Sequence, residues 1–313
     1  MRRVLLLGKG GQLGWELLRS LAPLGEVIAL DRRGNAVSSQ RNGGLKIDTV
    51  LCGDLSRPTE LETTVRLLKP DCIVNAAAYT EVDKAESVPE VARLINAEAP
   101  GTLARVGAEL GAWLIHYSTD YVFDGTGSVP WREDDTPGPL GAYGQTKLEG
   151  EERIRASGCR HLILRTSWVY AARRVNFART ILRLAGQRDT LQVVDDQIGS
   201  PTGADLLADT TAHAVRAVTQ TPELAGTYHV AASGETSWYE YARFVIESAR
   251  ARGWTLKVSA DGLIPVPSSA YVTPARRPYN SRLDCTKLEK TLGLCLPSWK
   301  FGVARLIDAL EPS

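Results

Sequence analysis

The segment Val4-Leu-Leu-Leu-Gly-Lys-Gly-Gly-Gln-Leu-Gly14 joins a short apolar run to a series of glycines. Val4–Leu7 is continuously apolar, as expected of a strand that a parallel sheet buries on both faces. The glycines at positions 8, 11 and 14 have a GxxGxxG spacing, and an apolar helical pattern follows them. Small residues let the backbone turn tightly and approach a pyrophosphate, which the free N–H groups of a helix N-terminus attract. The segment therefore predicts a strand, a dinucleotide-binding turn and a helix.

A second apolar run, Val27–Leu30, ends at Asp31. In dinucleotide-binding units, a carboxylate about 20 residues after the glycines receives a ribose hydroxyl. Arg32 and Arg33 come directly afterwards, and two guanidinium groups suit a ribose 2′-phosphate. These residues predict a nicotinamide cofactor and leave NADH and NADPH as alternatives.

Strand and helix patterns continue to alternate along the chain. Further strands are predicted at Thr49–Gly53, Asp71–Asn75, Trp113–Tyr117 and His161–Thr166, and helices at Pro58–Leu68 and at Val88–Leu110, with an interruption before Pro100. Such alternation predicts an α/β fold, a doubly wound parallel sheet of the Rossmann type with right-handed crossovers. Ligands of these sheets lie beyond the carboxyl ends of the strands.

Small and acidic residues recur at those predicted strand ends. Asp31, Asp54, Ala76–Ala78 and Thr119 each follow a predicted strand, as the glycine segment does. Because the carboxyl ends of parallel strands meet at one edge of a sheet, we expect these residues to line one crevice. Their convergence indicates an enzyme.

Tyr143 and Lys147 form a YxxxK motif that opens a polar helical pattern. Residues four apart lie on one helix face, about 6 Å apart at Cβ. An ammonium beside a phenol would lower the pKa of the tyrosine, and that phenol could give its proton to a developing alkoxide. The motif alone leaves open a packed tyrosine beside a solvated lysine.

The regular alternation weakens after Tyr170. We predict a dinucleotide-binding domain at residues 1–170 and a smaller, mixed α/β, mainly substrate-binding domain at 171–313, with part of 203–222 packing back on the first. Its predicted elements are helices at Phe177–Ala185, Asp205–Val218, Trp238–Ala251, Thr286–Leu292 and Phe301–Leu310, and strands at Leu191–Val194 and Thr227–Val230. Asn35–Lys46 is polar and aperiodic, which predicts a loop, and we assign it no function.

Two further features suit a substrate. Arg276 and Arg277 lie between prolines and form a stiff cationic patch for a phosphate or diphosphate, or a solvated loop charge. Trp168 follows a predicted strand, where it is either a wall of the substrate pocket or a core residue.

Composition excludes several classes of protein. The chain of 313 residues has 43% hydrophobic and 23% charged residues and a net charge of +1, which gives no reason to expect nucleic acid as a partner. No apolar run reaches membrane-spanning length, and the run after Met1 is too short for a signal peptide. The five cysteines show neither CxxC nor Cys/His spacing, so we expect reduced thiols in a cytoplasmic protein.

Together the motifs resemble the extended short-chain dehydrogenase/reductase superfamily, and within it the dTDP-4-dehydrorhamnose reductase family. The resemblance covers essentially the whole chain. The matching segments are Gly8–Leu18, Asn75–Glu86, His116–Phe123, Tyr143–Lys147, Arg165–Tyr170, Asp196–Leu207 and Thr273–Ser281. It implies reduction of the C4 keto group of dTDP-6-deoxy-L-lyxo-4-hexulose to dTDP-L-rhamnose, the last step of dTDP-rhamnose biosynthesis.

The resemblance also implies roles for individual residues. Thr119, Tyr143 and Lys147 would be catalytic, with Tyr143 as the proton donor. The cofactor, NADPH or NADH, would lie against Gly8, Gly10, Gly11, Gln12, Leu13, Gly14, Asp31, Asp54, Leu55, Ala76, Ala77, Ala78, Tyr117, Tyr143 and Lys147. The dTDP-sugar would lie against Thr119, Asp120, Trp168, Arg276 and Arg277.

Some members of this family hold a magnesium ion at a dimer contact, which implies a homodimer. Glu16 and Asp205 fall at positions similar to the acidic residues involved. Asp205 is one methylene shorter than a glutamate, and two carboxylates need further oxygen ligands to hold a metal.

Two alternatives remain. One is a nucleotide-sugar epimerase on the same scaffold, which would retain its cofactor through turnover. The other is a non-catalytic binding subunit that resembles the regulatory subunit of methionine adenosyltransferase. A dehydratase is less consistent with the residues, because Tyr121 rather than a second acid follows Asp120.

Overall fold

The computed structural model describes residues 3–39 and 50–310. Its strands are β1 (Arg3–Leu7), β2 (Glu26–Leu30), β3 (Ala36–Ser38), β4 (Cys72–Asn75), β5 (Trp113–Thr119), β6 (Arg160–Thr166), β7 (Val169–Tyr170), β8 (Leu191–Val194), β9 (Ile198–Gly199), β10 (Thr202–Gly203), β11 (Gly226–His229), β12 (Thr236–Ser237) and β13 (Leu263–Val266). Seven strands form one sheet in the order β11-β6-β5-β4-β1-β2-β3. All pairs in it are parallel except β2 with β3, which confirms the predicted fold class.

The helices are α1 (Gln12–Leu21), α2 (Pro58–Leu68), α3 (Val82–Ala85), α4 (Pro89–Arg93), α5 (Ala99–Leu110), α6 (Ala142–Ala156), α7 (Phe177–Ala185), α8 (Ala204–Gln220), α9 (Trp238–Ala251), α10 (Thr286–Leu292) and α11 (Trp299–Asp308). The predicted bounds of α2, α7, α9 and α10 are confirmed. The predicted interruption before Pro100 is a π-helical turn, Leu94–Glu98, that joins α4 to α5. A wider turn suits this position because proline has no N–H to donate.

Helices cover both faces of the sheet, so the central strands are buried on both sides. The apolar stripes of α1 and α8 pack on one face, with Leu17 and Leu207 in the cluster they form there. On the other face α2 and α5 contribute Leu61 and Leu103. This burial explains why the strand sequences are continuously apolar rather than alternating.

One predicted strand is wrong, and one predicted loop contains a strand. Val50–Gly53 forms no strand, because the edge beside β2 is taken by β3, which pairs with it in antiparallel register. Gly53 instead packs so closely on Asp31 and Leu30 that an added Cβ would overlap them. β3 lies inside the predicted Asn35–Lys46 loop, and residues 40–46 of that loop are outside the described residues.

The second half of the chain contributes to the central sheet as well as forming its own core. β11 pairs with β6, and α8 packs against α1. A separate cluster joins α7, α9 and α11 around Tyr241 and Trp299. The domain boundary at residue 170 stays a prediction. Within residues 3–39 and 50–310, no helix combines the length and apolar character needed to cross a membrane.

Candidate active site

The glycine segment forms a cradle between β1 and the start of α1. Gly8 has φ of +87°, and a Cβ there would lie 2.9 Å from the backbone of Ala76 and Ala77 after β4. A Cβ on Gly14 would overlap the carbonyl oxygen of Gly8. The first turn of α1 holds no acidic residue, and its N-cap residue, Gly11, has no side chain that could accept from the N–H groups of that turn. The cradle therefore fits an anionic pyrophosphate, which needs close backbone approach and free N–H donors.

Gly14→Ala is expected to lower the stability of the cofactor-free protein by roughly 1–3 kcal/mol, the usual cost of overpacking. The matched control is Gly10→Ala, since a Cβ at Gly10 meets its nearest atom at 3.6 Å, an ordinary contact. Thermal denaturation of the two variants measures the difference. Equal melting temperatures would show that the close approach of Gly14 to Gly8 is not required by the fold.

Asp31 lies at the end of β2 with its carboxylate already oriented. Its oxygens accept hydrogen bonds from the backbone N–H of Arg33 at 2.9 Å and from the side chain of Asn35 at 3.0 Å. Lys9 Nζ lies 3.7 Å away. Burial alone would raise the pKa of Asp31, but the Asn35 and Arg33 hydrogen bonds and the Lys9 charge together lower it. The carboxylate is ionised and fixed, while Arg32 and Arg33 are exposed beside it.

Three other residues predicted to line the cofactor site, Asp54, Leu55 and Tyr117, differ in where their side chains lie. Asp54 accepts hydrogen bonds from Ser56, and Leu55 is buried in the core under α2. The Tyr117 side chain points into the core, where its hydroxyl lies 2.7 Å from that of Thr211. Tyr117 reaches the site through its carbonyl oxygen, which accepts from Lys147 Nζ at 2.5 Å.

The three predicted catalytic residues meet where β5 ends against α6. The Thr119 hydroxyl donates to Asp120 Oδ1 at 3.1 Å and lies close enough to the Tyr143 phenol to act on its pKa. Lys147 Nζ lies 3.2 Å from His116 Nε2. Thr119, Asp120 and Lys147 are at most 5% exposed, whereas Tyr143 is only partly buried.

The prediction that Lys147 lowers the pKa of Tyr143 is wrong, because the pKa of Tyr143 is raised. Burial, followed by the charge of Asp120, raises the pKa of Tyr143 to about 12, against a smaller lowering by Thr119. The Lys147 ammonium is directed to Tyr117 and His116 instead of the phenol. Burial lowers the pKa of Lys147 to about 8, although Glu151 opposes the shift. Tyr143 is therefore fully protonated at neutral pH, which is the form that a proton donor needs.

The pKa of the Asp120 carboxyl is also strongly shifted. Burial raises its pKa to about 6, although the neighbouring hydroxyls of Ser281 and Thr119 oppose the shift. Its Oδ2 atom is buried without a hydrogen-bond partner among the described residues. An unpaired carboxylate oxygen in such a place is suited to accept a hydrogen bond from a sugar hydroxyl.

Asp120→Asn is expected to raise the stability of the protein at pH 8, by up to about 3 kcal/mol. Because the folded-state pKa lies above that of the unfolded chain, the wild-type carboxyl costs stability as pH rises from about 4 through about 6. The gain should therefore be small at pH 4 and full at pH 8, as read from melting temperatures. Asp134→Asn, on an exposed loop residue, is the control. A gain independent of pH would contradict the assignment.

Two acidic residues that sequence reasoning missed hold the site together. Glu86 accepts a hydrogen bond from the Ala142 N–H at 2.8 Å and so caps the helix that carries Tyr143. Asp83 accepts from Arg277 Nη2 at 2.7 Å and from the Ala275 N–H at 3.2 Å. Both acids lie in or next to α3, and no local pattern in the sequence shows contacts over such long separations.

The paired arginines border a cavity of about 890 Å³, and Trp168 lies behind Trp238, one of the residues of its lining. Trp168 has a left-handed backbone with φ of +49° and stacks on Trp238 with ring centroids 3.6 Å apart. Trp238, Arg276 and Arg277 line the cavity. Arg277 forms an ion pair with Asp83, whereas Arg276 is exposed. The sequence did not single out Trp238, which looks like any aromatic at a helix start.

The predicted magnesium ligands do not form a cluster. Glu16 pairs with Arg19 at 3.5 Å, and Asp205 pairs with Arg305 at 3.7 Å. Among the described residues, no group of three or more His, Cys, Asp or Glu side chains could hold a metal ion. The magnesium site stays a prediction that the structure does not support.

Comparison with known proteins identifies the family. The profile described as RmlD substrate binding domain matches residues 1–311. The dTDP-4-dehydrorhamnose reductase of Escherichia coli (strain K12) is 52% identical over 307 residues, 98% of this chain and 97% of that protein. The chain belongs to the dTDP-4-dehydrorhamnose reductase family. The Salmonella typhimurium member of the family is 53% identical over the same shares of the two chains.

Solved structures of dTDP-4-dehydrorhamnose reductases share the whole fold. The Bacillus anthracis reductase, crystallised in complex with NADP, matches with a TM-score of 0.84 and 31% identity over 99% of this chain and 100% of its own. The Clostridium acetobutylicum protein matches with a TM-score of 0.84 and 32% identity over 98% of each chain. Both halves of the chain therefore have the fold of these reductases.

Proposed function

We propose that the protein reduces the C4 keto group of dTDP-6-deoxy-L-lyxo-4-hexulose with NAD(P)H and releases dTDP-L-rhamnose. The proposal depends on one observation above others, the meeting of Thr119, Tyr143 and Lys147 at the ligand-binding edge of the sheet. That cluster lies in a chain 52% identical to the Escherichia coli reductase. A non-catalytic subunit would not require a proton donor at this place.

The cofactor would be held by the glycine cradle, with its pyrophosphate at the start of α1 and a ribose at Asp31. Ala76–Ala78 would supply the flat wall beside Gly8, since a Cβ on Gly8 would lie 2.9 Å from the backbone of Ala76 and Ala77. The nicotinamide supplies the hydride when bound. Asp31 and its two arginine neighbours keep both NADH and NADPH as candidates.

The protein's own part in the reaction is positioning and proton transfer. Tyr143 would give its phenolic proton to the C4 oxygen, because carbonyl reduction adds a hydride to carbon and a proton to oxygen. Thr119, which lies beside Tyr143, would hydrogen-bond the keto oxygen and hold it in line. Lys147, whose ammonium is directed to His116 and the Tyr117 carbonyl, would hold the nicotinamide ribose, as the family resemblance implies.

The substrate would occupy the cavity between the two halves of the chain. A volume of about 890 Å³ is within the range of small-molecule sites. Arg276 would contact the diphosphate, and Arg277 would do so if a phosphate displaced Asp83. Asp120 and Trp168 would face the sugar, with the free Oδ2 of Asp120 as a hydrogen-bond acceptor.

The test is NAD(P)H oxidation at 340 nm with the 4-keto sugar nucleotide, each cofactor separately, and with the product identified. Stoichiometric oxidation with formation of dTDP-L-rhamnose supports the proposal. Epimerised product without net oxidation would favour the epimerase alternative. Cofactor binding without turnover, together with recovery of a stoichiometric enzyme partner, would favour the regulatory subunit.

A cytoplasmic location belongs to the same proposal. The five cysteines are free thiols, as suits a reducing compartment. The homodimer stays a prediction to be tested by sedimentation, because the structure describes a single chain.

A further inference from the structure

The loop before α7, Ala171–Asn176, lies over the glycine cradle, and we refer to it as the strap. Arg174 Nε donates to the carbonyl oxygen of Gly10 at 3.0 Å. Asn176 Nδ2 donates to Gln12 Oε1 at 3.1 Å. The Arg173 guanidinium stacks on the Trp15 ring, 3.5 Å from its centroid. Contacts of three strap residues thus attach the strap to the glycine segment and the start of α1.

The backbone of the strap is unusual at Arg174, which has φ of +67°. A residue with a Cβ is disfavoured in this left-handed region, which glycine adopts without steric strain. Asn176 fixes the end of the strap, because its side chain caps α7 by accepting from the Arg179 N–H at 3.2 Å. An arginine is therefore held in a conformation that costs stability, and its guanidinium lies against Gly10.

The charges around the strap are unbalanced. Across residues 3–39 and 50–310, neither Arg173 nor Arg174 forms an ion pair with a carboxylate. The first turn of α1 below them contains no acidic side chain. A guanidinium, a helix N-terminus and small glycines together favour a planar or forked contact with a diphosphate oxygen.

We propose that Arg174 is a cofactor-binding residue, which reaches from the second half of the chain to the pyrophosphate of NAD(P)H. This inference rests on the proposed function, since it takes the glycine cradle as the cofactor site. The strap then covers the pyrophosphate from the side opposite the glycines. Exchange of oxidised for reduced cofactor would require the contact of Arg174 with Gly10 to open.

The test is direct binding of NADPH and of ADP-ribose to cofactor-free protein by isothermal titration calorimetry. Arg174→Gly is expected to weaken both ligands roughly tenfold, the worth of one charge-assisted hydrogen bond. Its melting temperature should be unchanged or higher, because glycine accepts the left-handed conformation without strain. Arg188→Ala, which removes a positive charge on the turn after α7, should bind both ligands as wild type does.

The outcomes separate this inference from the proposed function. If wild type binds neither NADPH nor NADH, the proposed function fails. If wild type binds and Arg174→Gly binds equally well, only the role of Arg174 is overturned. Weakened NADPH with unchanged ADP-ribose would also overturn it, since ADP-ribose keeps the pyrophosphate and lacks the 2′-phosphate. A lower melting temperature with unchanged affinity would assign Arg174 a structural role instead.

Discussion

Tyr143→Phe is expected to lower kcat by at least about 100-fold, the usual contribution of a positioned general acid. The substitution removes one oxygen from a partly buried ring and leaves the Tyr121 edge-to-face contact, with centroids 5.5 Å apart, in place. Burial keeps the pKa of Tyr143 at about 12, so the wild-type phenol is protonated throughout the working range. Steady-state oxidation of NADPH with the 4-keto substrate measures the loss.

The matched control for this prediction is Tyr121→Phe. Tyr121 is packed against Tyr143 but has no proposed part in proton transfer, so its kcat should stay within a few-fold of wild type. Affinity for NADPH should be nearly equal in both variants, because neither touches the glycine cradle. Near-normal turnover by Tyr143→Phe would show that another group supplies the proton.

The cofactor half of the site follows from sequence because its requirements are local. Gly8 must adopt a positive φ and let the chain after β4 approach, and Gly14 must pack on Gly8. No residue with a Cβ meets these conditions without strain, so the glycine spacing is visible in the sequence. The strand end at Asp31 is equally local, because an apolar run gives way to a carboxylate.

The rest of the site depends on contacts between distant segments. The sequence could place Lys147 one helical turn from Tyr143, but not show that its ammonium turns to the Tyr117 carbonyl and His116. Burial raises the pKa of Tyr143, and the periodicity of the sequence does not show how deeply a side chain is buried. The strand predicted at Thr49–Gly53 failed for a similar reason, since the choice of β3 as the partner of β2 depends on the whole sheet edge.

A buried ion pair stands behind the catalytic cluster and joins α6 to the sheet. Arg165 on β6 donates to both oxygens of Glu151 on α6, with distances of 2.9 and 2.7 Å. The two side chains are 3% and 0% exposed. Arg165 also lies over the Phe123 ring, and Arg155 on the same helix donates to Glu151 Oε2 at 3.0 Å. This pair therefore fixes the helix of Tyr143 and Lys147 against the end of β5.

Glu151→Gln is expected to lower the free energy of unfolding by about 3–5 kcal/mol, because it leaves the Arg165 guanidinium buried without a counter-charge. Burial alone would raise the pKa of Glu151, but Arg165 lowers it overall, so the pair stabilises the fold above the unfolded-state pKa. The difference from wild type should therefore shrink as pH falls below 4.5. Glu149→Gln, two residues earlier, removes a carboxylate that is 29% exposed and should cost at most about 1 kcal/mol. Urea unfolding of the two variants at pH 7.5 and at pH 4 decides the matter. Equal losses in both would mean that the buried pair holds α6 no more firmly than an ion pair at the surface.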